Sequence, residues 1–317
     1  MSRIVVALGG NALQSDPKDN SSESQLRTCC KTAKSIADLL EEGNEIVITH
    51  GNGPQIGQII SAYETAALAD KSKDVMPFQE CGAMSQGYIG YHLQQALKKE
   101  LKKRGMNNEV ATVITQVAVD RDDAAFKNPT KSIGSFFTQK QAEAIIFETN
   151  CLMKEDAGRG WRRVVPSPLP KTIVEEEVIK TLVGAGHIVI TVGGGGIPVI
   201  EKDDGSFEGV AAVIDKDYAS EKVAEIIDAD ILLILTAVDK VAINFNKKNQ
   251  ENISRMNIKD AYKYIEEKQF APGSMLPKVK AAVMFAESKK GKKFIITSLG
   301  KLKEALCGIT GTVISDT

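Results

Sequence analysis

The sequence predicts an α/β fold built on a mainly parallel sheet with helices over both faces. Three observations point there. Short, largely apolar runs such as Ile4–Leu8, Glu45–Thr49, 187–192 and Ile231–Leu235 recur along the chain. Segments with helical periodicity separate most of them, and glycine turns follow several of the runs. Repeated strand–helix units form parallel sheets, whose strands are buried on both faces and so read as continuous apolar runs.

Each element has its own local reason. Ile4–Leu8 ends in Gly9-Gly10 and reads as a core strand. Ser22-Glu23-Ser24-Gln25 matches a capping box, and Leu26, Cys30, Ala33, Ala37 and Leu40 keep helical spacing until Gly43. Glu45–Thr49 is the next strand, and His50-Gly51-Asn52-Gly53-Pro54 turns the chain into a second helix. Residues 84–103 read as a third helix, with a basic last turn that suits the negative end of its dipole. Val110–Val119 reads as one strand. Between 120 and 168 the pattern breaks into scattered aromatics and prolines, with one helix expected at about 138–147. This stretch is read as a protruding subdomain, or lid, inserted in a single unit spanning 1–317. Alternation then resumes. Thr172-x-x-Glu175 is expected to cap a helix reaching Val183, followed by the strand 187–192, the Gly193–Gly196 loop and a hairpin around Asp203-Asp204-Gly205. A helix follows Asp217, strands are expected at 231–235 and 241–244, and helices near 257–267 and 278–288. Phe294–Thr297 and Thr312–Ile314 complete the strands.

Composition narrows the function classes. With 317 residues, 43% of them hydrophobic and 26% charged, the chain is globular rather than disordered. A net charge of −1 argues against a dedicated nucleic-acid or membrane-surface binder, so any anion site must be built locally. Five cysteines without a C-x-x-C do not suit a secreted disulfide framework. Runs such as Ile231–Leu235 fall far short of the ~20 residues of a membrane span, and no signal-peptide core is visible. A cytoplasmic protein is expected.

The standard phosphate motifs are missing: there is no G-x-x-x-x-G-K-[ST], and Gly51, Gly53 and Gly57 have the wrong spacing for G-x-G-x-x-G. In their place stand three glycine turns after strands: Gly9-Gly10-Asn11, Gly51-Asn52-Gly53 and Gly193–Gly196. Ligands of open parallel sheets bind beyond the carboxyl ends of the strands, where glycine lets backbone N–H groups approach an anion. Lys216 and Lys278 each stand where a loop enters a helix, and Lys131 lies within the irregular stretch. Phosphoryl transfer needs cations aimed at the moving phosphoryl oxygens, although a lone lysine is more often solvated surface. Asp215 and Asp217 flank Lys216, either to hold a lysine or metal or as ordinary acids at a helix start. Ala83-Met84-Ser85-Gln86-Gly87 looks like a hydrolase nucleophile elbow, but no strand precedes it and Ser85 follows helical periodicity. His50, His92 and His187 lack metal-ligand spacing. His187 reads as structural, while His50 could pack or face a ligand.

Taken together, these segments resemble the carbamate kinases of the amino acid kinase family. The resemblance spans Ala7-Leu8-Gly9-Gly10-Asn11-Ala12, Gly51-Asn52-Gly53-Pro54-Gln55, Ser85–Gly90, Asn128-Pro129-Thr130-Lys131, Glu155–Trp161, Gly193–Pro198, Val213–Asp217 and Gly273-Ser274-Met275. It implies an open αβα sandwich, a homodimer and Mg²⁺-dependent, reversible phosphoryl transfer between carbamoyl phosphate and ADP, giving ATP and carbamate. A place in carbamoyl phosphate metabolism, such as arginine breakdown, goes with it. By position, Gly9, Gly10, Asn11, Gly51, Asn52 and Gly53 would cradle the carbamoyl phosphate. Lys131 would reach in from the lid, Lys216 and Lys278 would neutralise the transferring phosphoryl and the nucleotide phosphates, and Asp217 would organise those lysines. Gly194, Gly195, Ala237, Val238, Ser274 and Met275 would border the nucleotide, whose phosphates would carry the Mg²⁺ with no protein metal site. Some positions depart from the family pattern. Ala237 stands where many members carry Asp, Leu276 replaces a usual Gly, Ala211 a usual acid, and Thr49-His50 precedes the turn where Ser is common. These departures leave room for a paralogue, for a kinase of another small acid, or for a non-catalytic nucleotide or metabolite sensor.

Overall fold

Alternate residues of one strand set the architecture. In the strand Arg3–Leu8, Val5 and Ala7 enter one apolar core while Ile4, Val6 and Leu8 enter another. Successive side chains of a strand point to opposite faces, so a strand buried this way needs helices on both sides. The computed structural model describes residues 2–316 other than 15–18, 20, 150 and 157, and it supplies those helices. They are α1 (Ser22–Glu41), α2 (Gly53–Ala69), α3 (Phe78–Lys103), α4 (Gln139–Thr149), α5 (Glu176–Gly184), α6 (Lys216–Ile226), α7 (Ile258–Glu266), α8 (Met275–Ser288) and α9 (Leu302–Leu306). Ala219 and Val223 of α6 and Val279 of α8 fill the first core; Ile36 of α1 and Ile89 and Leu93 of α3 fill the second. Each of these valine, leucine and isoleucine side chains, fully buried, contributes roughly 1.5–3 kcal/mol.

The central sheet has eight strands in the order Arg255–Asn257, Thr312–Ser315, Lys293–Ser298, Ile231–Thr236, Arg3–Leu8, Glu45–His50, Ile188–Thr191 and Val110–Thr112. Its pairs are parallel except Lys293–Ser298 with Thr312–Ser315. The expected mainly parallel sheet with two covered faces is present. Among the described residues, no helix is long and apolar enough to cross a membrane.

Several boundaries differ from the sequence expectation. Ser21, not Ser22, caps α1: its extended backbone lets its hydroxyl accept from Ser24 N at 3.2 Å. The third helix begins at Phe78 rather than near 84. Val110–Val119 is two strands, Val110–Thr112 in the central sheet and Gln116–Val119 in a second, four-stranded sheet. Between them the Gln86 side chain clasps Thr115, accepting from its N at 2.8 Å and donating to its O at 3.1 Å. Thr172 lies in the strand Pro170–Ile173 and caps nothing. Glu175 precedes α5 but gives its carboxylate to the backbone and side-chain nitrogens of Gln116.

The stretch 120–168 is more regular than its sequence suggests. Alongside α4 it forms a three-stranded antiparallel sheet of Lys131–Phe137, Trp161–Val165 and Met153–Glu155. Half-exposed residues and a register shift between Ile133 and Phe137 hide the first of these strands. Ile133 and Val165 join Ile56 and Ile60 of α2 in a third apolar cluster. Here Gly57 meets the backbone of Gly134, leaving no room for a Cβ on Gly57, and Gly134 itself has φ +71°. Arg163 pairs with Glu64 of α2 at 2.7 Å. The Glu155–Trp161 segment closes this sheet, with Ala157 outside the described residues.

One buried group makes stability depend on pH. Glu221 of α6 is 2% exposed and its Oε2 has no partner. Burial pushes its carboxyl up from 4.5 to about 7, so the folded chain holds an extra proton between those values. The carboxyl is raised rather than depressed, so stability falls as pH rises through that window. In urea unfolding, Glu221→Gln should match the native protein near pH 4.5 and exceed it at pH 8 by on the order of 2–3 kcal/mol. A gap larger at acid pH would reverse the sign and refute this account.

Candidate functional site

Parallel pairing brings the glycine turns together. Leu8 lies beside both His50 and Leu235, and Thr49 lies beside Thr191, so four adjacent strands end on one edge. Gly9 N then donates to Leu235 O at 3.1 Å and Gly51 N to Leu8 O at 3.1 Å, which aligns the turns. The first helices beyond these strand ends include α2, which follows Asn52 and carries Pro54 in its first turn, and α6, whose N-cap is Asp215. The N-terminus of α8, at Ser274, faces the same cleft of about 220 Å³. Helix N-termini carry partial positive charge and unpaired N–H donors, so this edge favours an anion.

Three lysines converge on the cleft with two aspartates. Asp217 accepts from Lys216 Nζ at 2.7 Å and from Lys278 Nζ at 2.8 Å. Lys131 Nζ, from the first residue of its strand, reaches Asp215 at 2.5 Å. Burial pulls the Lys216 ammonium below its usual range and Lys278 adds to that effect, while Asp217 opposes it. Burial would raise the Asp217 carboxyl, but the two ammonium groups outweigh it and hold the carboxyl well below the usual range. The stem of Lys216 crosses Gly51, where a Cβ would stand 3.3 Å from Cδ. Gly51 therefore leaves the lysine its path.

The glycines divide by position. Gly10, Gly51, Gly53 and Gly194 line the cleft. Gly9 and Gly195 are pressed against the carbonyls of Leu235 and Ile214, where a Cβ would overlap backbone. The backbone of Asn11 lies in the short turn Gly10–Ala12, and its side chain lies outside the described residues. Asn52 also lines the cleft, with its Nδ2 donated to Ser85 at 2.8 Å and a Cβ on Gly194 excluded by its amide. Ser85 is fully buried within α3, which leaves no nucleophile elbow. His50 is 1% exposed behind Gly193, and burial lowers its imidazole to about 4, so it packs rather than faces a ligand.

A second cavity, of about 660 Å³, adjoins the cleft at Ser274. Ala237, Val238 and Met275 line it, whereas Gly194 belongs to the smaller cleft. Its remaining wall includes Phe245, Gln250, Asn252 and Gln269, which sequence reasoning missed. They lie on or near the hairpin Val241–Ile243 with Glu251–Ile253, of which only the first strand was legible. Among the described residues, no group of three or more His, Cys, Asp or Glu side chains gathers as a metal site.

Comparison with known proteins follows the same lines. The amino acid kinase family profile matches residues 2–298. The chain is 58% identical over 312 residues to a carbamate kinase of Clostridium perfringens (strain 13 / Type A), covering 98% of this chain and 99% of that one. It is 54% identical over 312 residues to the carbamate kinase-like protein YqeA of Escherichia coli (strain K12), covering 98% of each. The solved carbamate kinase of Giardia lamblia bound to AMP-PNP matches with TM-score 0.90 at 39% identity, over 99% of this chain and 98% of that one.

The shared carboxylate should dominate local stability. Asp217→Asn leaves two largely buried ammonium groups facing each other without their counter-charge, and should lower the unfolding free energy by on the order of 3 kcal/mol. Urea denaturation measures it. A loss below about 1 kcal/mol would mean that the lysines do not rely on Asp217.

Proposed function

The chain belongs to the amino acid kinase family, and within it we infer a carbamate kinase, transferring phosphoryl between carbamoyl phosphate and ADP to give ATP and carbamate. The observation that carries this reading is the meeting of Lys131, Lys216 and Lys278 beside the glycine turns of one cleft. Full-length similarity to carbamate kinases supports the choice of substrate.

Phosphoryl transfer asks little covalent chemistry of the protein; it asks for alignment and for charge where the transition state gathers it. Gly10, Gly51 and Gly53, with the N-terminus of α2, cradle the carbamoyl phosphate, and Lys131 reaches it from the lid formed by 120–168. Lys216 and Lys278 face the moving phosphoryl and the nucleotide phosphates, held apart and oriented by Asp217. The larger cavity, bordered by Ala237, Val238 and Met275, takes the nucleoside, so that ADP would cross at Ser274. Mg²⁺ comes with the nucleotide as part of the substrate and neutralises phosphate charge. The cleft carboxylates support that route, since both are already engaged by lysines. The working form is a cytoplasmic homodimer. The exposed Tyr91 and Ile114, which line one surface depression with Thr112 of the edge strand Val110–Thr112, support a buried partner face there.

A coupled assay with Mg²⁺, ADP and carbamoyl phosphate tests the reaction. Native protein should form ATP, and Lys216→Ala should lower kcat by on the order of 10²-fold, the scale of losing one preorganised donor. Near-normal turnover by folded Lys216→Ala would sink the assignment. Lys131→Ala should lose activity yet keep ADP affinity by isothermal titration; an equal loss of ADP binding would move Lys131 to the nucleotide side.

A further inference from the structure

We propose that Asp215 is a positioning residue for this transfer: its carboxylate ties the lid lysine, Lys131, to the start of α6 and thereby sets where that cation stands in the cleft. The inference rests on the carbamate kinase reading and adds a residue to it. The two oxygens of Asp215 face different parts of the molecule. Oδ1 accepts from Asp217 N at 3.0 Å and caps α6, while Oδ2 accepts from Lys131 Nζ at 2.5 Å. One side chain, 10% exposed, thus joins the helix that carries Lys216 and Asp217 to a strand 84 positions earlier in the chain.

The division of charge explains why a second aspartate is needed. Asp217 is committed to Lys216 and Lys278, one oxygen to each. A third ammonium in the same cleft has no share in it. Lys131 is carried by a flexible four-carbon stem, and the lid sheet beneath it is fixed to α2 at some distance, through Gly57 with Gly134 and Glu64 with Arg163. Those contacts place the strand. They do not place the ammonium, and Asp215 does. Because Asp215 also caps α6, the three lysines are registered to one helix terminus.

Removing only the charge separates the two tasks. Asparagine caps helices as well as aspartate, so Asp215→Asn keeps an oxygen for Asp217 N while releasing Lys131. An undirected Lys131 slows the chemical step, whereas the incoming anion meets no less positive charge. In the coupled ATP assay, Asp215→Asn should lower kcat by on the order of tenfold, with KM for carbamoyl phosphate unchanged or lower. In a Lys131→Met background the same substitution should change kcat no further. The proposal is overturned by unchanged kcat, by a raised KM at constant kcat, or by the same tenfold loss in the Lys131→Met background. The last result would assign the effect to the helix cap alone. Native protein that forms no ATP would instead defeat the carbamate kinase reading. Acetylation by an N-hydroxysuccinimide ester, read by peptide mass, then tests the pairing without turnover. Labelling of Lys131 should rise several-fold in Asp215→Asn relative to that of exposed Lys127, and equal labelling would overturn the proposal.

Discussion

Asp217 is the constraint on which the cleft depends. Its side chain is 3% exposed and stands between two ammonium groups at 2.7 and 2.8 Å. Two like charges about 4 Å apart repel by about 4 kcal/mol at an effective dielectric of 20, a cost on the scale that a carboxylate between them offsets. Where Asp217 stands is decided elsewhere. Lys216 and Asp217 open α6, Lys278 lies in the first turn of α8, and the separation of these helices is set by apolar packing. Ala219, Val223, Val279 and Ala282 occupy the same core. The charge geometry is therefore read out from hydrophobic contacts one layer below it. Gly51 completes the arrangement by leaving the Lys216 stem its route.

What the sequence made legible follows from the range of the forces involved. Ile231–Thr236 and Arg3–Leu8 are buried on both faces, so their runs announce themselves without any knowledge of partners. The glycine turns were legible because backbone approach demands glycine wherever it occurs. The lysines were legible because they stand next to helix starts. Tertiary events were not. The break at Thr115 depends on Gln86, 29 positions earlier, and nothing between 110 and 119 encodes it. The strand Lys131–Phe137 alternates poorly because Ile133 is the one buried side chain it sends against α2, the next contact being backbone at Gly134. His50 abuts a glycine turn in sequence, and only the fold shows its ring filling the space behind Gly193.

Charge also had to be read locally. A chain of net charge −1 concentrates three ammonium groups against two carboxylates at one cleft, beside the N-termini of α2, α6 and α8. That excess lies where an anion can collect N–H donors and cations together. The larger cavity carries no comparable concentration of charge. Amides and aromatic surface from Gln250, Asn252, Gln269, Phe245 and Phe270 line it instead. Such walls suit a nucleoside rather than its phosphates, and Ser274 lines both cavities.

The departures from the family pattern can be ranked by where they lie. Leu276 is half-buried against the core beneath α8, and its N donates to Ala271 O at 3.1 Å, so its added volume is taken up away from the cleft. Ala211 is exposed and does not line the cleft, although it stands four positions before Asp215, which does. Thr49 is buried with its hydroxyl 2.6 Å from that of Ser220, a contact that a serine would make equally. Ala237 alone sits on a cavity wall, where a methyl group replaces a carboxylate. Lys216, Lys278 and Asp217 keep their distances regardless, because they are anchored by α6 and α8 rather than by that loop. Of the four departures, the one at Ala237 is therefore the one placed to change what the larger cavity holds.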